Sequence, residues 1–169
     1  MKLWQKTALI TGLLLIFIFF STAVLHKEQL LKNGTPFYIE LVPKDPRSKI
    51  QGDYMILNYN IPDNLQKSAM DAVVGKFVFT LNDKKVAQFL RIYNEEEPLA
   101  ENEYLIYFNA YSRWRLNLGA NSFFFQEGQG EKYSNARYGE LRVEKDGKPL
   151  LVGLRDEHLE LLGYSSGLK

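Results

Sequence analysis

Between residues 45 and 53 the chain gathers two carboxylates, a guanidinium and a hydroxyl, those of Asp45, Asp53, Arg47 and Ser48. Paired carboxylates can divide acid and base work, and a serine beside a neutral amine can act as a nucleophile. The surrounding residues point first to architecture. Pro43 and Pro46 hold φ near about −65° and bias Val42 and Asp45 toward extended backbone. Asp45 can bond its own backbone two residues on. Gly52 frees the backbone for a close strand approach, and Asp53 then enters a strand, where aspartate is disfavoured without a partner. Arg47 is the candidate partner. The segment reads as a turn that fixes the entry to a strand, with a ligand- or partner-binding turn as the sharper alternative.

Other reactive groups are sparse. The 169 residues include no cysteine, which excludes a disulfide framework, a thiolate metal site and a thiol nucleophile. His26 and His158 are the two histidines, too few for a multi-histidine metal centre, and each is expected at a surface. Glu95-Glu96-Glu97 before Pro98 reads as a solvated acidic loop. No catalytic residue, cofactor site or metal site is assigned. The balance of 21 basic against 20 acidic residues gives no field to gather nucleic acid, so no nucleic-acid partner is expected.

The residues before this region set its location. Ala8 to Leu25 is an uncharged run of 18, of which 14 are apolar on every side of a helix. Lys2 and Lys6 precede it, and Trp4 stands at an interfacial position. The positive excess ahead of the run predicts a cytoplasmic N-terminus and an extracytoplasmic remainder at the cell membrane, held by a single-pass signal anchor. The competing reading is a cleaved signal peptide with Ser21-Thr22-Ala23 as a small-x-small site, leaving a secreted or periplasmic product. Residues 26–169 carry 19 basic and 20 acidic side chains, so that part is near neutral.

Beyond a polar connector the pattern is one of short strands. Residues 1–25 are read as the anchor, 26–36 as the connector, 37–155 as a β-rich domain and 156–169 as a tail. The anchor helix is expected to run on to about Lys32, with Asn33-Gly34 as its stop. Phe37 to Val42 alternates. Asp53 to Ile61 is apolar on both faces at its start, which predicts a central strand covered on both sides. Asn64 to Val74 predicts a helix capped by Asp63 or Asn64, with Leu65, Ala69 and Val73 on one stripe. Lys76–Leu81 and Val86–Tyr93 make a hairpin about Asn82-Asp83-Lys84. Tyr104–Tyr111, Arg113–Leu118 and Ser122–Phe125 continue the series, and a helical turn is placed within 128–137. Glu140–Val143 and Pro149–Leu154 flank Asp146-Gly147, a two-residue hairpin signal. The fold class expected is mainly β, barrel- or sandwich-like, with short helices and one N-terminal transmembrane helix. The alternative is α+β, with a C-terminal helix over Glu157–Leu162.

Aromatic residues cluster at Tyr104, Tyr107, Phe108, Tyr111 and Trp114, with Arg113 and Arg115 beside the tryptophan. Core packing is the favoured reading, and an aromatic–basic binding surface the alternative. Phe123-Phe124-Phe125 cannot all face one side of a strand, so at least one meets a second apolar layer, a partner or a membrane surface.

Taken together, Gly52-Asp53-Tyr54, Leu57 and Tyr59 with the Asp45-Pro46-Arg47 turn and the Phe124-x-x-Glu127-Gly128 segment resemble the GDYXXLXY family of bacterial membrane-anchored proteins. Gly52, Asp53, Tyr54, Leu57 and Tyr59 match each fixed position of its name-giving motif, and the resemblance spans roughly residues 8–155. It implies a multi-spanning membrane protein as partner and no particular chemistry. Asp45, Pro46, Arg47, Gly52, Asp53, Tyr54, Leu57, Tyr59, Glu127 and Gly128 form the candidate motif, structural or functional. The turn leading into Gly52-Asp53 also resembles, loosely, the entry of signal-peptidase-like β folds. Lys44 stands where those carry the nucleophilic serine, so only architecture carries over. The function expected is a non-enzymatic accessory or interaction module for a membrane partner. The alternative is an extracytoplasmic hydrolase with a carboxylate-based or Ser48-based site.

Overall fold

A computed structural model of the protein describes residues 3–42, 54–112, 115–119 and 121–163. The chain divides into two units, Met1–Gly34 and Thr35–Lys169. The first is a single helix, α1 (Leu3–Asn33). It is long and apolar enough to cross a membrane by length and composition, and Leu13 to Phe20 present exposed apolar side chains on all its sides. The helix runs on through residues 26–33 and ends at Asn33-Gly34 as expected, the Gly34 N–H returning to the Leu30 carbonyl at 2.8 Å.

In the second unit, β1 (Thr35–Glu40), β8 (Tyr138–Val143) and β9 (Pro149–Arg155) form a three-stranded sheet in the order β1-β8-β9. The strands β3 (Val74–Leu81), β4 (Ala87–Ile92), β5 (Tyr104–Ser112) and β6 (Arg115–Asn117) form a four-stranded sheet in the order β4-β3-β5-β6. A ribbon of two short strands, β2 (Tyr54–Ile56) and β7 (Ser122–Phe124), stands apart from both. All paired strands are antiparallel. The sheets meet at two seams. Tyr38 N–H donates to the Lys85 carbonyl at 2.9 Å, and Tyr107 N–H donates to the Gly147 carbonyl at 2.8 Å. The strand orders end at β9 and β6, so the mainly β expectation holds without a closed barrel among the described residues.

Strand alternation places the core between the sheets. Phe37, Ile39 and Leu141 face Phe77, Phe79, Ile106 and Phe108, and all seven are at most 1% exposed. The rings interlock, with centroids 4.8 Å apart for Phe37–Phe79 and 4.4 Å for Phe77–Phe108. Gly75 lies opposite Phe108 across the strands, and a Cβ there would come within 2.7 Å of the Phe108 ring. The missing side chain is what lets that ring lie flat on β3. Val78 is buried on the outer face of the same sheet, between its cross-strand neighbours Arg91 and Leu105. The Arg91 stem shields it while the guanidinium pairs with Glu97 at 3.2 Å and Glu103 at 3.1 Å. The acidic loop is thus tied at Glu97, with Glu95 and Glu96 exposed.

Several expectations are corrected. The segment 53–61 is not a central strand covered on both sides. Its described residues, 54–61, hold only the short strand β2, Tyr54 is 45% exposed, and after Ile56 the chain changes partner. Leu57 N–H still bonds the Asn121 carbonyl, but Val42 N–H then bonds the Asn58 carbonyl and Asn60 N–H the Glu40 carbonyl, each at 2.8 Å. The double-faced apolar pattern reflects this switch rather than burial in one sheet. The helix α2 (Asp63–Ala72) starts at Pro62, whose carbonyl takes the Leu65 and Gln66 N–H groups, and no side chain caps it. Val73 leaves the predicted stripe, because the chain reverses straight into β3 there with φ at 64° and the side chain 53% exposed. The Asp146-Gly147 hairpin forms with a three-residue loop. Glu144 and Lys148 pair across it, and Gly147 takes φ 95° as its third residue. The region 128–137 holds one short 3₁₀ turn, Gly130–Tyr133. No helix forms over 157–162. The Asp156 carboxylate accepts the His158 and Glu160 N–H groups at 2.9 Å each, and Leu161 bridges back to Arg155. An aspartate that bonds the backbone locally competes with helix formation in this way.

Candidate functional site

The ribbon brings part of the motif to one place. Tyr54 stands opposite Phe124, Met55 opposite Phe123, and Ile56 opposite Ser122. Alternation sends Met55 and Phe123 inward against the core and Tyr54 and Phe124 outward. The Tyr54 and Phe124 rings lie 5.8 Å apart, and Phe124 is 76% exposed. The inward-facing neighbours are anchored on Tyr133, with ring distances of 5.0 Å from Phe123 and 5.2 Å from Phe125. The expectation that the three consecutive phenylalanines divide between faces is met, and Phe124 is the one left in water.

Beside the ribbon lies a cleft of about 790 Å³. Leu57, Tyr59 and Ile61, each at most 6% exposed, contribute its buried wall, and Val42 and Tyr54 lie on it where they flank residues 43–53. Asn58, Gln66, Asn117 and Asn121 add four side-chain amides, and Ser122 adds a hydroxyl. None of the described lining side chains carries a charge. Burial pushes the Tyr59 phenol well above its ordinary pKa, so it stays protonated. Gly139 makes room for that ring, since a Cβ there would lie 3.3 Å from it.

The motif residues therefore separate. Leu57 and Tyr59 are core positions that hold the switch from β7 to the end of β1, whereas Tyr54 is a surface residue beside the cleft. Asp45, Pro46, Arg47, Ser48, Gly52 and Asp53 lie outside the described residues. Glu127 and Gly128 form an exposed turn closed by Gln129 N–H on the Gln126 carbonyl, with Gly128 at φ 77°. No hydrogen bond or ion pair joins Glu127 to the described motif residues. In the aromatic cluster Phe108 is core, Tyr104 stacks on Phe79, and Tyr107 faces out under Lys76. The side chain of Tyr111 and residues Arg113 and Trp114 lie outside the described set. His158 pairs with Glu157 at an exposed site. Among the described residues no three acidic or histidine side chains stand close enough to hold a metal ion. The four amides of the cleft are what sequence reasoning missed. Asn58 follows β2, Gln66 lies in the first half of α2, Asn117 ends β6 and Asn121 precedes β7, so no shared local pattern offered a signal.

The class of protein so far defined is a strand-rich domain preceded by one apolar helix, with the motif tyrosines divided between core and cleft. Residues 16–154 match the family described as GDYXXLXY protein, which covers most of the chain, and the protein belongs to that family. Comparison with curated proteins and with solved structures gives no match.

Proposed function

We propose that this protein is a membrane-anchored, extracytoplasmic interaction module whose Tyr54–Phe124 face engages a multi-spanning membrane protein. The observation that carries the reading is the pair of outward aromatic rings on a three-residue ribbon, 45% and 76% exposed. Exposed aromatic area of this kind contributes little to folding and much to contact with a partner. The helix α1 supports the anchor, and Lys2 and Lys6 ahead of it support a cytoplasmic N-terminus. A near-neutral domain leaves shape and aromatic contact, rather than charge, as the means of recognition.

A photo-crosslinking amino acid placed at position 124 of the full chain in native membranes tests this. A discrete adduct containing a multi-spanning protein is expected from position 124, and none from the exposed control Glu101. Absence of an adduct at both positions overturns the reading. Sequencing the mature N-terminus separates an anchor, with residues before Ala23 retained, from a cleaved leader.

A further inference from the structure

We propose that the C-terminal return, residues 156–163, sets the position of the partner-contact ribbon and acts on Phe124 through Tyr133. This rests on the ribbon being a partner contact and adds what holds it in place. The ribbon is too small to hold itself. Its two strands are three residues long, and an isolated two-stranded ribbon is marginal in water. What fixes Phe124 is the residue on either side of it. Phe123 and Phe125 both rest on the Tyr133 ring, with centroids 5.0 Å and 5.2 Å away, so a shift of Tyr133 moves both supports at once. Tyr133 itself ends a single 3₁₀ turn, Gly130–Tyr133, a short element with poor hydrogen-bond geometry.

The return meets Tyr133 at its hydroxyl. Gly163 packs there so closely that a Cβ would collide with the Tyr133 Oη, and its φ of 82° suits glycine. The return in turn is tied to β9 at several points. Leu162 N–H donates to the Leu154 carbonyl at 2.9 Å, and Leu161 bridges to Arg155. Gly153 leaves room for Leu161, since a Cβ there would lie 2.8 Å from it. The Asp156 carboxylate folds the turn by accepting the His158 and Glu160 N–H groups. Arg155 Nη1 donates to the Leu159 carbonyl at 2.6 Å while its other nitrogens hold Glu140. A contiguous path of packed groups therefore runs from Asp156 through Gly163 and Tyr133 to the ribbon. Coupling over such a path is reciprocal: a loosened return frees the ribbon, and a partner that holds Phe124 tightens the return. Tyr133 and Gly163 are positioning residues, since Phe124 and not they meets the partner.

The experiment uses the full chain, in native membranes for crosslinking at position 124 and in lipid nanodiscs for hydrogen exchange read by mass spectrometry. Gly163→Ala drives a methyl into Tyr133, and Asp156→Ala removes the acceptor that folds the turn. Each should speed exchange of residues 121–125 about tenfold and lower the crosslink yield several-fold, while residues 104–108 of β5 stay within about twofold. Asp156→Asn keeps an oxygen for both N–H groups and should stay within about twofold of wild type in both readouts. The exposed control Glu101→Ala should move neither. Unchanged exchange at 121–125 in both alanine variants overturns the proposal, and so does exchange that rises equally in β5, which would be a general loss of stability. Faster exchange at 160–163 with none at 121–125 overturns it too. A crosslink that keeps its full yield in variants with a loosened ribbon overturns the positioning role and leaves the partner contact standing. Absence of the crosslink in wild type overturns the partner contact alone, and exchange still tests the coupling of return to ribbon.

Discussion

The β3–β5 sheet and the β2–β7 ribbon treat the same side chain in opposite ways. Phe77 has strands on both sides and rings above it, and it is fully buried. Phe124 sits on a strand with one neighbour and is 76% exposed. Hydrophobicity is identical, so the number of covering elements decides what each ring is worth. Two ion pairs repeat the contrast at one distance. Arg155 bonds the buried Glu140 through two nitrogens at 2.8 Å, and Lys148 meets the half-exposed Asp146 at the same 2.8 Å.

The largest expected effect tests the phenylalanines. Phe77→Ala removes a ring packed against Phe89 and Phe108 and should cost about 3–5 kcal/mol. Phe124→Ala should change stability by under about 0.5 kcal/mol, as exposed substitutions do. Urea midpoints measured by circular dichroism check both. Equal losses would erase the distinction between sheet and ribbon.

Glu140 comes next. It is the buried charged residue among those described, and its partner Arg155 also lies over the Tyr38 ring and donates to the Leu159 carbonyl at 2.6 Å. Glu140→Ala strands that guanidinium and should cost about 3 kcal/mol. The double change Glu140→Leu with Arg155→Met removes both charges and should recover much of the loss. The same urea titration reads the result, and a double variant as unstable as the single one would show that the pair is more than a mutual neutralisation.

Val73 inverts the direction. A β-branched residue at φ 64° is strained, and this one is 53% exposed while its N–H and carbonyl remain bonded to Ala69 and Ala110. Glycine fits that backbone without a Cβ penalty, so Val73→Gly should stabilise the domain by about 1 kcal/mol. Thermal melts check this gain, and a fall in midpoint would show that the exposed valine is covered after all.

These contrasts also show what the residues alone could tell. The alternation from Phe37 to Val42 marks an inward face of Phe37, Ile39 and Leu41, and the hairpins at Asn82 and Asp146 follow from turn chemistry; both features appear in the fold. The ribbon is invisible to periodicity, because Tyr54 and Ile56 look like a buried strand until the chain changes partner at Leu57. Glu157–Leu162 has helical spacing, yet the Asp156 carboxylate captures its N–H groups first. The cleft depends on amides from four segments, a juxtaposition set by pairing registers rather than by any local pattern.

The exposed pair carries the smallest effect and the sharpest sign. The Lys148 ammonium, by hydrogen bonding, and then its backbone N–H hold the Asp146 carboxyl below its ordinary pKa. A carboxyl depressed in the folded state contributes stability above its unfolded pKa of about 3.9, and that contribution drains away as pH falls through the lower folded value. Wild type should therefore exceed Asp146→Asn slightly at pH 7, and the two should converge in acid once pH has fallen below the lowered folded value. Salt gives a second axis. An exposed pair is screened at about 1 M ionic strength, whereas a buried one is not. The Asp146→Asn difference should shrink in salt while the Glu140→Ala difference stays. An Asp146 contribution that survived both acid and salt would not come from the carboxylate charge. The contrast between the two pairs would then rest on geometry rather than on exposure.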